Sequence, residues 1–188
     1  VPLDTRLWIS SPGVAVANLV RAGLAVTGYH TSDVAAGRLR EAGGHIAASA
    51  SAAAAGTDIV ITMLPNGPVV DDVLFGPGGV ASAMSSSSLF VDMSTIAPAA
   101  SDIFRGRLAD RGIAMVDAPV GRTAAEAVTG ELLIMMGGIA ADLAKAAPAF
   151  KAMGTTLVDC GGPGTGVRMK LINNYMTTVL NVLTAEAL

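Results

Sequence analysis

Lys170 and Asn174 stand four residues apart in Gly164-Thr165-Gly166-Val167-Arg168-Met169-Lys170-Leu171-Ile172-Asn173-Asn174. The apolar spacing predicts a helix there, and four residues on a helix bring the two side chains to one face. Val167, Leu171 and Val179 complete that face. An ammonium in such a poorly hydrated setting, steadied by an amide one turn on, can donate a proton and stabilise a developing alkoxide. A surface lysine snorkelling from a helix start fits the stretch equally well. Three predicted strand ends carry the other candidates. Asp92-Met93-Ser94-Thr95 offers two hydroxyls, as an anion or carbonyl site or as a plain helix cap. Asp117-Ala118-Pro119-Val120-Gly121-Arg122-Thr123 sets an arginine beside a glycine turn, where it can grip a carboxylate, sulfonate or phosphate. Thr62-Met63-Leu64-Pro65-Asn66-Gly67 turns sharply after an apolar run, as a ligand-edge loop or as ordinary turn chemistry.

These residues need a scaffold that gathers strand ends. Strand-like segments at Leu7–Ile9, Leu24–Tyr29, Ile59–Leu64, Leu89–Asp92, Ala114–Asp117, Leu132–Met136 and Thr156–Asp159 alternate with helix-like ones, and His45–Ala48 fits a further short strand. Helices fit Val14–Ala22, Ser32–Ala42, Val69–Leu74, Ala99–Arg111, Ala124–Val128, Ala140–Ala152 and Gly166 onward. The alternation predicts an α/β fold, Rossmann-like and doubly wound, with a mainly parallel sheet over residues 1–162. Residues 163–188 then begin a long helix. That helix is still apolar at Leu188, so a chain cut before its natural end is expected.

Of the 188 residues 52% are apolar, which suits a sheet buried on both faces. A net charge of −3 without a basic stripe argues against nucleic acid, and no apolar run is long enough for a bilayer. Cys160 is the only cysteine, which rules out an internal disulfide framework and suits a reducing cytoplasm. No metal-ligand pattern stands out.

A dinucleotide site normally carries Gly-x-Gly-x-x-Gly in the first turn, so that the backbone can approach a pyrophosphate. Here the turn reads Leu7-Trp8-Ile9-Ser10-Ser11-Pro12-Gly13, keeping only Gly13. Ile9 and Pro12 obstruct that approach, so weak cofactor binding is expected. The acidic residue that usually follows the second strand is replaced by His30, either a ribose or phosphate contact or a solvated loop histidine.

Met63-Leu64-Pro65, Asp92-Met93-Ser94-Thr95-Ile96, Asp117-Ala118-Pro119-Val120-Gly121, and Gly164-Thr165-Gly166 followed by Lys170 and Asn173-Asn174 come in one order. Together they resemble the β-hydroxyacid dehydrogenase family, relatives of 3-hydroxyisobutyrate and 6-phosphogluconate dehydrogenases. Gly121-Arg122-Thr123 and Leu171-Ile172-Asn173-Asn174-Tyr175-Met176 are similar to one branch of it, the sulfolactaldehyde reductases. The resemblance implies reduction of a small anionic aldehyde, such as 3-sulfolactaldehyde, to its alcohol with NAD, NADP remaining open. It implies Lys170 as proton donor and Asn174 as its partner in orienting substrate. Substrate would be held by Ser94, Gly121, Arg122, Thr123, Asn173, Tyr175, Met176 and Thr177. Cofactor would lie against Gly13, His30, Met63, Leu64, Pro65 and Thr95. It also implies that the helix begun at residues 163–188 leads to an all-α domain absent from this sequence, and that the complete protein is a homo-oligomer. The lost glycines leave a second reading, a catalytically silent module that keeps the fold and binds a small anion or a partner.

Overall fold

The computed structural model describes residues 6–9, 15–30 and 32–188. The first half contains β1 (Arg6–Ile9), α1 (Ala15–Arg21), β2 (Ala25–Gly28), α2 (Asp33–Glu41), β3 (His45–Ile46), α3 (Ala50–Ala54), β4 (Ile59–Thr62) and α4 (Gly67–Phe75). It continues through β5 (Leu89–Asp92), α5 (Pro98–Ala109), β6 (Ala114–Asp117), β7 (Val120–Gly121), α6 (Ala124–Thr129), β8 (Leu132–Met136), α7 (Ala140–Met153), β9 (Gly154–Asp159) and α8 (Thr165–Ala187). Six strands form one sheet in the order β3-β2-β1-β4-β5-β6, every pairing parallel. This is the doubly wound order, with its reversal between β1 and β4, and the expected fold is borne out.

The strands alternate sides in the way a sheet buried on both faces requires. Ile59, Ile61, Leu89, Val91 and Val116 join Val16, Leu19, Phe150 and Met153 of α1 and α7 in one core. Val60, Phe90 and Met115 face the other way, against Val70, Leu74, Phe104 and Leu108 of α4 and α5. Burying side chains such as Phe90 and Phe150 completely is worth about 1.5–3 kcal/mol each.

The sheet is not one continuous piece. β8 and β9 pair in parallel, and β7 joins β8 antiparallel, in a separate three-stranded sheet. Asp117 and Gly137 bridge the two, exchanging backbone hydrogen bonds of 3.1 and 2.8 Å. Neither β7 nor α3 was anticipated: two residues show no period, and an alanine-serine run has no apolar face to detect.

At the carboxyl edge the register sets Thr62 beside Asp92 and Asp92 beside Asp117 across three neighbouring strands. By alternation all three side chains leave on the Val60, Phe90 and Met115 side, and all three are buried. A polar row thus closes an otherwise apolar sheet on the side where such folds bind ligands.

Candidate functional site

Each member of the polar row holds a different part of the crevice. Thr62 Oγ1 donates to Asp92 Oδ1 at 2.9 Å, and the Ser94 amide donates to the same oxygen at 3.0 Å. Ser94 Oγ in turn accepts the Leu64 amide at 2.9 Å. The turns after β4 and β5 are therefore stitched together beneath the surface. Burial pushes the Asp92 carboxyl up to about 6, against hydrogen bonds from Ser94 and Thr62 that favour its charged form; the neighbouring Asp117 pushes the same way as burial. The hydroxyl of Ser94 is thus spent inside the protein, whereas Thr95, the next residue, is exposed at the rim. Met63 and Leu64 are half-buried and Pro65 is exposed.

The third member, Asp117, seats the long helix. Its Oδ1 accepts the Gly164 amide at 2.6 Å and its Oδ2 the Val167 amide at 2.8 Å. The first-turn amides of a helix lack partners within it, and a carboxylate 47 residues earlier supplies two of them here. Gly164 adopts φ +85° to enter the helix. Gly166 is forced by proximity: a Cβ there would lie 2.5 Å from the carbonyl oxygens of both Asp117 and Met135. Outside this seat, Arg168 Nη2 pairs with Asp102 Oδ2 at 2.6 Å, and Arg105 pairs with the other oxygen of Asp102 at 2.8 Å.

Lys170 follows Val167 on this helix and is half-buried. Burial pushes its ammonium below the ordinary lysine value. At about 100° per residue, Asn173, Asn174 and Thr177 lie within about 60° of Lys170 around the axis. The two asparagines are half-buried; Thr177 Oγ1 donates to the Asn173 carbonyl at 2.8 Å. Tyr175 and Met176 fall on other faces and are exposed; Leu171 and Val179, expected on the Lys170 face, lie about 100° and 180° from it, and of the three apolar residues expected there Val167 alone is buried.

Arg122 is exposed and is the one non-glycine residue at positive φ among those described, at +73°. A non-glycine residue costs about 1–2 kcal/mol in that conformation. Its guanidinium donates to the Glu131 carbonyl, to Thr156 Oγ1 at 3.0 Å and to Thr155 Oγ1 at 3.4 Å. None of these partners belongs to α8. Gly121 is buried, with room for a Cβ only at 3.1 Å from Leu133. Thr123 caps α6: its amide donates to Glu126, and its hydroxyl accepts the Ala125 amide at 3.2 Å.

On the cofactor side, His30 is half-buried and its Nδ1 accepts the Ser32 amide at 2.8 Å, which leaves Nε2 as the ring's donor. Gly13, like Ser10, Ser11 and Pro12, lies outside the described residues. The reversal point between β1 and β4, the stitched Leu64 turn and the exposed Thr95 fit a dinucleotide laid along this edge. A separate depression of about 400 Å³ opens between α4 and α5, lined by Pro68, Ala100, Ile103 and Phe104 and by the Arg107–Asp71 pair; it holds none of these residues. Among the described residues no group of three His, Cys, Asp or Glu side chains could hold a metal ion, and no helix is long and apolar enough to cross a membrane.

Nothing in the sequence assigns Asp117 a partner. An acidic residue closing a strand of buried apolar ones is a signal, but nothing local ties it to amides so far along the chain.

Comparison with known proteins agrees with this fold. Residues 13–162 match the family model described as the NAD binding domain of 6-phosphogluconate dehydrogenase. The chain is 44% identical over 170 residues to 3-sulfolactaldehyde reductase of Escherichia coli, covering 90% of this chain and 57% of that protein. It is 37% identical over 171 residues to NAD-dependent L-serine dehydrogenase of Pseudomonas aeruginosa, covering 91% and 57%. The solved structure of Mycobacterium tuberculosis 3-hydroxyisobutyrate dehydrogenase with L-serine superposes with a TM-score of 0.93 at 32% identity, covering 98% of this chain and 64% of that one. The chain thus spans little more than half the length of these curated relatives.

Proposed function

Because the chain belongs to the family of the NAD-binding domain of 6-phosphogluconate dehydrogenase, we propose that it is the cofactor-binding part of a hydroxyacid dehydrogenase, together with the root of the helix that carries its proton donor. Residues 1–162 form the cofactor unit on this reading, and residues 163–188 begin the helix. The observation that carries it is the half-buried Lys170, with its lowered proton affinity, sharing a helix face with Asn173 and Asn174 above the sheet's ligand edge.

The substrate proposed is a small anionic aldehyde, 3-sulfolactaldehyde before others, reduced to its alcohol. The 44% identity to an enzyme of that name supports this choice, as does Arg122 at the strand end. A bound nicotinamide dinucleotide supplies the hydride to the carbonyl carbon. The chain's own residues do the rest. Lys170 Nζ hydrogen-bonds the carbonyl oxygen, stabilises the charge growing there and gives it the proton that completes the alcohol. Asn174 holds the same oxygen and the ammonium in line. Arg122 exchanges its three neutral acceptors for the substrate's anion, gaining a partner of opposite charge with the geometry for two parallel bonds. Thr95, the Leu64-Pro65 turn and His30 would hold the cofactor. Gly121, Thr123, Tyr175, Met176 and Thr177 complete the substrate side on this reading, while Ser94 contributes through the turn it fixes. The cofactor is NAD rather than NADP, in keeping with the NAD-dependent relative.

The competing reading, a silent module, draws on Ile9 and Pro12 in the first turn, where close backbone approach calls for glycine. Calorimetry with NADH and NADPH, followed by steady-state reduction of 3-sulfolactaldehyde, separates the two. In a full-length form with glycines restored in the first turn, Lys170→Ala is expected to lower turnover about 10²–10⁴-fold with NADH affinity nearly unchanged. Near-normal turnover in that variant would remove the mechanism, and absence of any NADH binding would favour the silent module.

A further inference from the structure

We propose that Asp117 is the positioning residue for Lys170: by spanning the Gly164 and Val167 amides it fixes where the root of α8 stands on the sheet, and so where the ammonium stands in the crevice. This rests on Lys170 being the proton donor.

Three observations carry the inference. The first is the pairing itself, since one buried carboxyl group uses both oxygens, at 2.6 and 2.8 Å, on two amides of the same helical turn. Two contacts from one rigid group define a direction as well as a point. The second is the absence of slack. Gly166 and Gly137 meet backbone to backbone: a Cβ on Gly137 would lie 2.6 Å from the Gly166 amide nitrogen. The root of the helix cannot slide without breaking the Asp117 bonds or colliding with β6 and β8. The third is what lies beyond. Among the described residues α8 packs against β8, α5 and β6, whereas Met169, Leu171, Ile172, Tyr175, Met176 and Leu180 are all exposed. Lys170 comes three residues after Val167, about 4.5 Å along the axis, so it takes its place from the seat. A displacement of about 1 Å at a reacting group can cost about 10²-fold in rate.

The outer pair Arg168–Asp102, joined by Arg105 at 3.7 Å from Asp117, is more exposed and reaches the seat through Arg168 Nη1, which donates to the Gly164 carbonyl at 2.8 Å, not through the seated amides. Asp102→Asn leaves the Gly164 bond and both Asp117 bonds in place and is expected to have little effect on the position of Lys170.

The test begins with a readout independent of turnover. The rate at which trinitrobenzenesulfonate labels Lys170, followed by peptide mapping, reports how far the ammonium is shielded, with Lys145 and Lys151 as internal references. Asp117→Asn turns one acceptor oxygen into a donor facing a donor. It should raise labelling of Lys170 several-fold and leave the other two lysines unchanged. Phe150→Leu, a core change on the opposite sheet face, should leave Lys170 unchanged despite its cost in stability. Kinetics then supply a double-mutant cycle: Asp117→Asn should lower turnover about 10–10²-fold with the NADH Michaelis constant held within about twofold, and should add nothing in the Lys170→Ala background. Should Asp117→Asn not fold, Asp117→Glu keeps both acceptor oxygens, displaces them by one methylene and enters the same cycle. Unchanged labelling of Lys170, or additive losses in the cycle, overturns the inference. Retained turnover in Lys170→Ala alone instead defeats the proton-donor reading on which it rests.

Discussion

Asp92→Asn should make the protein more stable, and by an amount that depends on pH. The buried carboxyl is raised from 3.8 to about 6. About two units at 1.36 kcal/mol each make the charged form cost about 3 kcal/mol in the folded state relative to the unfolded. The sign follows from proton counting. Between the two values the folded chain holds a proton that the unfolded chain has released, so stability falls as pH rises from about 4 to 6. Above pH 6 the cost is borne in full. Asparagine keeps an acceptor for Thr62 Oγ1 and the Ser94 amide, both of which use one oxygen of Asp92. It carries no charge and feels no repulsion from Asp117. The gain at pH 8 is therefore expected to approach about 3 kcal/mol and to shrink toward zero near pH 4. With a urea dependence of about 2 kcal/mol per molar, the midpoint should move up by about 1.5 M at pH 8 and about half as far at pH 5. A pH-independent difference, or a variant less stable than the wild type at pH 8, would refute the account of Asp92 as a buried acid held against its preference.

Two further outcomes follow from the seat and from the arginine. Gly166→Ala forces a Cβ to 2.5 Å from two carbonyl oxygens and should cost about 1–3 kcal/mol or more, whereas Gly106→Ala in α5, with open space around it, should gain about 0.5–1 kcal/mol; thermal melts of the pair check both signs. Arg122→Ala keeps a Cβ at φ +73° and so leaves the backbone strain in place, removing only the guanidinium. Its Michaelis constant should rise about 10–100-fold more for sulfonated aldehydes than for uncharged ones, the value of a charged hydrogen bond, and an equal rise for both would deny the arginine its anion.

How much of this was legible in the sequence depended on distance along the chain. The helix face of Lys170 and Asn174 could be read because the helical period is local. The strands of the buried sheet could be read because Ile59–Thr62 and Leu89–Asp92 are nearly continuous apolar runs ended by one polar residue. The split into two sheets could not, because β7 is two residues long and its antiparallel turn lies in a segment that resembles other strand ends. The use of the polar atoms was also hidden. Ser94 reads as a ligand hydroxyl until the register brings the Leu64 amide to it, and Asp117 reads as a strand-end acid until a helix start 47 residues later comes to rest on it. Gly137 and Gly166 look like ordinary glycines in sequence, and only their mutual approach explains them.

That approach also decides how this chain can be recombined with its relatives. The helix is held at its root by a carboxylate on one strand and by a glycine just past another, neither of them near it in sequence. A chimera that imports α8 alone, with a crossover between residues 160 and 163, therefore keeps the host's Asp117 and Gly137 and inherits the host's alignment. One that imports the segment from β6 onward brings the whole mount with it. Helix exchanges should be planned around those two residues, because they, more than the 23 residues of the helix, decide where its working face ends up.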